Sequence, residues 1–329
     1  MSKTRVLIYI PCHKDYLMAF QTARKILEQV LTTPSTKFQF EIYISINGVD
    51  HPVQSEGLQM ITINHIESIL GGDGNIANGF VTALTLKPDY FWLLSANENL
   101  TANSISNLIQ LFEDYPEADF LVANAAGRAG RLKIDNVFYN VPSNLALGLI
   151  SGVIYNFNSC KDSFHQSTLF SWTGWGQLAV IQNHLSKSAD KNIYEFPDSN
   201  LYETPYTYSI DSQGKSEREV VRGQYVHSFF GFPLIASCLL QAETKILRRF
   251  QLDWLARNWY KISFFLNESK IGDEAILERN SWVSQLSRNS FKSSFLNYII
   301  FSASSHIPIS RFQDSIVAKR FLEMYKRRM

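Results

Sequence analysis

Cysteine is scarce: the 329 residues hold three, Cys12, Cys160 and Cys238, far apart and odd in number. This excludes a disulfide framework and offers none of the paired spacings of a zinc site, so all three are expected to be reduced and structural. Long apolar runs are missing as well. No stretch reaches the roughly 18 residues of a spanning helix. The opening Met1-Ser-Lys-Thr-Arg-Val-Leu-Ile8 enters a strand pattern with no signal-peptide core. A cytoplasmic protein is the expectation. Net charge is also small, +1 overall, but it is split: residues 1–200 carry 13 Lys and Arg against 18 Asp and Glu, and residues 201–329 carry 18 against 12. Charge of that kind selects no partner by sign alone, and no nucleic-acid partner is expected. Neither an internal repeat nor a low-complexity linker interrupts the chain.

What is present is apolar and aromatic. A content of 45% hydrophobic and 13% aromatic residues over this length can bury a large core, as one large domain or two smaller ones. Buried-strand patterns recur, each ending in a polar loop. Arg5-Val-Leu-Ile-Tyr-Ile10 ends at Pro11-Cys-His-Lys-Asp15, and Phe38 to Ile46 ends at Asn47-Gly-Val-Asp50. Met60 to Ile63 is a short third strand, and Phe120 to Asn124 is a later one. Helical periodicity covers Met18 to Val30, Phe80 to Leu86 and Leu178 to Leu185. Strands alternating with helices predict an α/β fold with a mostly parallel sheet.

The chain centres on Asp89 to Leu111. An apolar run, Tyr90 to Leu94, meets a polar knot, Ser95 to Asn99, and then a helical pattern with Ile105, Leu108, Ile109 and Leu111 on one face. In a doubly wound sheet such a loop lies at the carboxyl end of a strand, where ligands of α/β proteins bind. Asn97 and Glu98 would then project into a crevice. The plain alternative is a connection whose polar residues solvate a turn and cap the helix.

Upstream, Gly71-Gly-Asp-Gly-Asn-Ile-Ala-Asn-Gly79 has the spacing of neither a dinucleotide fingerprint nor a P-loop. It reads as a glycine-rich turn or as a helix start whose amide groups hold a phosphate. Downstream, Leu145 to Tyr155 is an apolar segment closing on a turn. The aromatic, glycine-bearing Phe170-Ser-Trp-Thr-Gly-Trp-Gly-Gln177 suits a sugar or base face, or plain core packing. Helical patterns then run from Leu234 to Leu266 and from Ala275 to Leu286. In the tail, the apolar Phe291 to Phe301 precedes Lys319, Arg320, Lys326, Arg327 and Arg328. That pairing favours an anionic membrane surface, or else the aromatics dock the tail on the core and leave the basic cluster solvated.

The order of these landmarks resembles the GT-A fold of family 2-type glycosyltransferases, among them the bacterial surface-polysaccharide enzymes related to abequosyltransferases. Val6-Leu-Ile-Tyr-Ile-Pro-Cys-His-Lys14 is similar to the opening strand that ends in Pro-Thr-Tyr-Asn-Arg, and Ile42 to Asp50 to the strand ending in Asp-Asn-Gly-Ser-Thr-Asp. Gly72-Asp-Gly-Asn-Ile76 resembles the Asn-x-Gly-x-x-x-Asn stretch. Trp92 to Leu100 falls where the family has its Asp-x-Asp loop, with Ala96 and Asn97 standing for two acids and Glu98 the one carboxylate.

The resemblance covers residues 4–230. It implies a GT-A domain over 1–232, Rossmann-like with a mostly parallel mixed sheet flanked by helices, and a helical C-terminal extension with a basic tail over 233–329. It further implies a nucleotide-sugar donor and a glycan or lipid-linked acceptor, and the apolar and basic tail adds the expectation of peripheral attachment on the inner face of the membrane. Pro11, His13, Asn47, Asp73, Asn75 and Asn97 would line the donor crevice. Glu98, with His227 as an additional ligand, would hold Mg²⁺ or Mn²⁺. Gln177 falls where the family carries its catalytic base and cannot act as one. Asp162 and His165, nearby in sequence, are the substitutes. A catalytically inactive GT-A-like module that binds a glycan or a partner enzyme is the alternative.

Overall fold

The run Val6 to Ile10 is wholly buried, as a strand covered on both faces must be. In the computed structural model it forms the middle of β1 (Thr4–His13). The structure describes residues 3–13, 16–33, 35–48, 61–66, 71–124, 127–132, 147–148, 150–187, 192–203, 235, 238 and 239. The chain divides into two units, Met1–Ile210 and Asp211–Met329, and almost all described residues belong to the first. The expected helices beyond residue 233, the boundary at 232 and the basic tail lie outside the described residues. Among those described, no helix is long and apolar enough to cross a membrane.

β1 pairs in parallel with β2 (Phe38–Asn47) on one flank and β4 (Tyr90–Leu93) on the other, and β2 pairs in parallel with β3 (Ile61–Ile66). β7 (Val153–Asn156) then lies antiparallel between β4 and β5 (Phe120–Asn124). β8 (Ile193–Pro197) runs parallel to β5, and the short β6 (Gly130–Arg131) closes the edge. The order is β3-β2-β1-β4-β7-β5-β8-β6, a mixed sheet of eight strands. Pro11 lies past Tyr9, the last β1 residue paired with β4. There a residue without an N–H is tolerated, so the expected loop Pro11 to His13 continues as strand.

Alternation along each strand sorts the core onto two faces. Val6, Ile8, Ile10, Ile42, Ile44 and Trp92 pack with Ala19, Ala23 and Ile26 of α1 (Tyr16–Thr32) and with Ile105, Leu108 and Phe112 of α3 (Ser104–Asp114). The opposite face is aromatic. Phe80 of α2 (Gly71–Leu86) stands edge-on to Phe91, Tyr155 and Phe164 at centroid distances of 5.2, 5.3 and 5.0 Å, a geometry that suits the ring quadrupoles.

α2 begins nine residues before the apolar segment that predicted it. Glycines argue against helix locally, yet one of them makes the contact possible: a Cβ at Gly79 would stand 2.8 Å from Tyr9 Cδ1. Helix and sheet approach closely there because no side chain intervenes.

At the other end of the sheet, Asp119 precedes β5 and meets α6 (Gly176–Lys187). His184 Nε2 lies 3.3 Å from Asp119 Oδ2, ion-pair reach without hydrogen-bond alignment, and the Asn192 N–H donates to the same oxygen at 3.0 Å. Burial alone would raise the Asp119 carboxyl; the imidazole and the amide outweigh it and hold it below the usual value. A depressed carboxylate contributes stability that is present above its unfolded pKa, about 3.9, and is lost as pH falls through the folded value. Urea midpoints should therefore fall for the wild type as pH drops below about 4. Asp119→Asn should flatten that decline; an unchanged slope would show that Asp119 is not its source. The buried Cys160 donates to the Asn156 carbonyl at 2.8 Å, a structural role as expected.

Candidate functional site

From β1 the chain steps outward to β2 and β3, then returns to place β4 on the opposite flank of β1. The carboxyl ends of β1 and β4 thus border a topological switch point, where open α/β sheets bind ligands. The segment Ser95 to Asn99 follows β4 at this edge.

That loop is tied on every side. The Glu98 N–H donates to the Ser95 carbonyl at 3.3 Å, and the Ser95 hydroxyl donates to Asn97 Oδ1 at 2.5 Å. From α1, the Thr22 hydroxyl donates to the Ala96 carbonyl at 2.7 Å and Lys25 Nζ to Asn99 Oδ1 at 3.2 Å. The segment after β8 crosses as a strap: Leu100 and Tyr202 form an antiparallel bridge, the Thr101 N–H donates to the Leu201 carbonyl at 3.0 Å, and Asn99 Nδ2 donates to the Glu203 carboxylate. The partners from α1 and the strap were not legible in the sequence, because they are far from the loop along the chain.

Glu98 is half-buried, and its Oε1 accepts from the Ser151 hydroxyl at 2.7 Å. Ser151 is itself fixed, accepting at Oγ from the Ser95 N–H at 3.0 Å and at its carbonyl from Trp92 Nε1–H at 3.0 Å and from the Tyr202 hydroxyl. Burial pushes the Glu98 carboxyl above its usual range, with the Ser151 hydrogen bond acting the other way. Ser151 escaped the sequence reading: a single serine inside an apolar segment carries no pattern.

A divalent ion of the Mg²⁺ or Mn²⁺ type wants several oxygen ligands, carboxylates foremost. The described residues do not fit one. Glu98 is the loop's one acid, its Oε1 already accepts from Ser151, and no group of three or more His, Cys, Asp or Glu among the described residues is disposed to hold a metal. His227 lies outside the described residues.

The residues expected to line a donor crevice reach the same edge with different uses. Pro11 stands opposite Ser45 and His13 opposite Asn47 in the β1–β2 register. Asn47 is buried, Asp73 lies half-buried in the first turn of α2, and Asn97 is exposed. Asn75 is 1% exposed and serves the fold. Its Oδ1 accepts from the Ser45 and Tyr9 hydroxyls at 2.7 and 3.1 Å, and its Nδ2 donates to the Cys12 and Ser45 carbonyls, both at 3.1 Å. An amide side chain has two acceptor and two donor positions, so Asn75 has none left for a donor molecule. It is a post that fixes the start of α2 to the ends of β1 and β2. The Tyr9 hydroxyl also accepts from Asn78 Nδ2 at 2.9 Å, and burial pushes the phenol up to about 12.

Asp162 and His165 are not brought to this edge. β7 is antiparallel to β4 and leaves the sheet where β4 begins: the Phe157 N–H, at the start of α4 (Phe157–Cys160), bonds the Asp89 carbonyl at 2.9 Å. Asp162 follows in an exposed turn whose next residue, Ser163, is bound by Asn183 Nδ2 at 2.8 Å near the far end of α6. His165 opens α5 (His165–Leu169), exposed, with its Nε2 2.8 Å from Gln166 Nε2. The reversal of β7 is what carries them away. Gln177 is also spoken for, donating from Nε2 to the Gly148 carbonyl at 2.5 Å. Trp175 is buried, so this member of the aromatic segment belongs to the core.

No protein-family model matches the sequence, and no curated protein does. Among solved structures, the chain is similar to the crystal structure of S. aureus TarS 1-349, with TM-score 0.51 and 10% identity over 99% of this chain and 92% of that one. A second crystal structure of S. aureus TarS gives TM-score 0.55 and 12% identity over 98% of this chain and 55% of that one. The mannosyltransferase PcManGT from Pyrobaculum calidifontis, in complex with GDP-Man and Mn²⁺, gives 0.43 and 12% over 92% and 87%, too loose a match to bear on this site. The mixed sheet with helices on both faces is the GT-A fold. At such identities the likeness shows the fold alone.

Proposed function

We propose that this chain is a glycosyltransferase that moves a sugar from a nucleotide-sugar donor to a lipid-linked or growing glycan acceptor in surface-polysaccharide assembly. The observation that carries the reading is the placement of Glu98, a half-buried carboxylate on a tied loop at the switch point of a GT-A sheet. In the transfer, the acceptor oxygen forms a bond to the anomeric carbon and gives up its proton to a base, taken here as the Glu98 carboxylate. The bond from that carbon to the diphosphate breaks, and the diphosphate leaves with the electron pair. Its growing charge must be met by fixed positive groups or dipoles. The first turn of α2, held at the edge by Asn75, has N–H groups without intrahelical partners and would face that charge. Lys25 adds a cation beside the loop.

A binding module without turnover is the second reading, favoured by Ala96 and Asn97 standing where the resembled family has acids. Thermal shifts with UDP, GDP, CDP and dTDP, with and without Mn²⁺, test the first step. A ligand at 100 times its Kd stabilises the native state by about 2.7 kcal/mol. A shift with one nucleotide, followed by release of that nucleotide from its UDP-, GDP-, CDP- or dTDP-sugar, is the expected result. Binding without release would select the module, and no shift with any nucleotide would sink the transferase reading.

A further inference from the structure

Among the described residues, the hydrogen bond that reaches the Glu98 carboxylate comes from Ser151. This residue precedes β7 by two positions and reaches the carboxyl edge because β7 runs against its neighbours. We propose that Ser151 is the positioning residue of the site, its hydroxyl holding the Glu98 carboxylate in the crevice. What Glu98 does there rests on the transferase reading; how it is held does not.

The geometry leaves the hydroxyl little freedom. Its oxygen accepts the Ser95 N–H, so its proton is directed to Glu98 Oε1, and its backbone is clamped by the Trp92 indole and the Tyr202 hydroxyl. Trp92 is fully buried on β4, and Tyr202 belongs to the strap that crosses the loop. Three elements thus converge on one serine, which passes their rigidity to a single carboxylate oxygen. Glu203 of the strap and Lys25 of α1 meet at Asn99 instead. A reacting group displaced by about 1 Å can lose about 100-fold in rate.

Two measurements test this. In crystals of Ser151→Ala, Glu98 should leave its present rotamer, whereas Ser151→Thr, which retains the hydroxyl, should keep it. This needs no substrate and stands whether or not transfer is found. With the donor identified above, Ser151→Ala should lower kcat by about 10- to 100-fold with little change in donor KM, and Ser151→Thr should recover most of the loss. Ser151→Ala added to Glu98→Ala should cost nothing further, since residues acting through one another are not additive. Glu98 unmoved in the Ser151→Ala crystal, or an equal kcat loss in both backgrounds, would overturn the proposal. Melting curves of each variant confirm that the comparison is between folded proteins.

Discussion

Glu98→Gln should lower sugar transfer by about 100-fold or more, the scale on which a positioned carboxylate contributes. Glutamine fills the same space and can still accept from Ser151, so the change removes charge and proton-accepting capacity while sparing the loop. Glu98→Ala should be at least as damaging. The accompanying expectation concerns metal. With one acid on the loop, Asn97→Asp supplies a second carboxylate at an exposed adjacent position and should make turnover respond more strongly to Mn²⁺. Initial rates of the three variants in EDTA and in Mn²⁺ decide it. Full activity of Glu98→Gln under both conditions would remove Glu98 from the chemistry.

Asn75→Ala should be the most damaging single change to the stability of the carboxyl edge of β1 and β2, at about 3 kcal/mol, because it strands several buried polar groups at once. The Cys12 and Ser45 carbonyls lose a donor, and the Ser45 and Tyr9 hydroxyls lose an acceptor. Asn78, half-buried with a bond to the Tyr9 hydroxyl, provides the control: Asn78→Ala should cost about 1 kcal/mol. Urea unfolding of the two variants measures the difference. Equal costs would show that Asn75 is an ordinary helix residue and not the post of α2. The same variant should also weaken nucleotide binding, since the first turn of α2 would no longer be held at the edge.

The parts of the fold visible in the sequence were those whose burial is written in adjacent residues. β1, β2, β4, β5 and the helices α1 and α3 lie close to where their apolar periods placed them. β8 gave no comparable signal: within Ile193 to Pro197 the buried Ile193 and Phe196 are separated by the half-buried Tyr194 and Glu195, a short pattern without the period of a strand. β7 was read as the end of an apolar segment, and its antiparallel course is set by partners on two other strands. The start of α2 was hidden by its glycines, since the hydrogen bonds that hold it come from Tyr9, Cys12 and Ser45, more than 25 residues away. For the site, Glu98 could be found because strand, polar knot and helix are contiguous. Ser151 could not, lying 53 positions further on. Asp162 and His165 were chosen by nearness along the chain to the position of an expected base, and the reversal of β7 separates that nearness from nearness in space.

β7 is bonded along both flanks, to β4 and to β5, so its register is set twice over by strands that precede it in the chain. The position of Ser151, two residues before Val153, is inherited from that register and not from the length of chain that leads into it. A one-residue slip of β7 against either neighbour would therefore carry the serine away from Glu98.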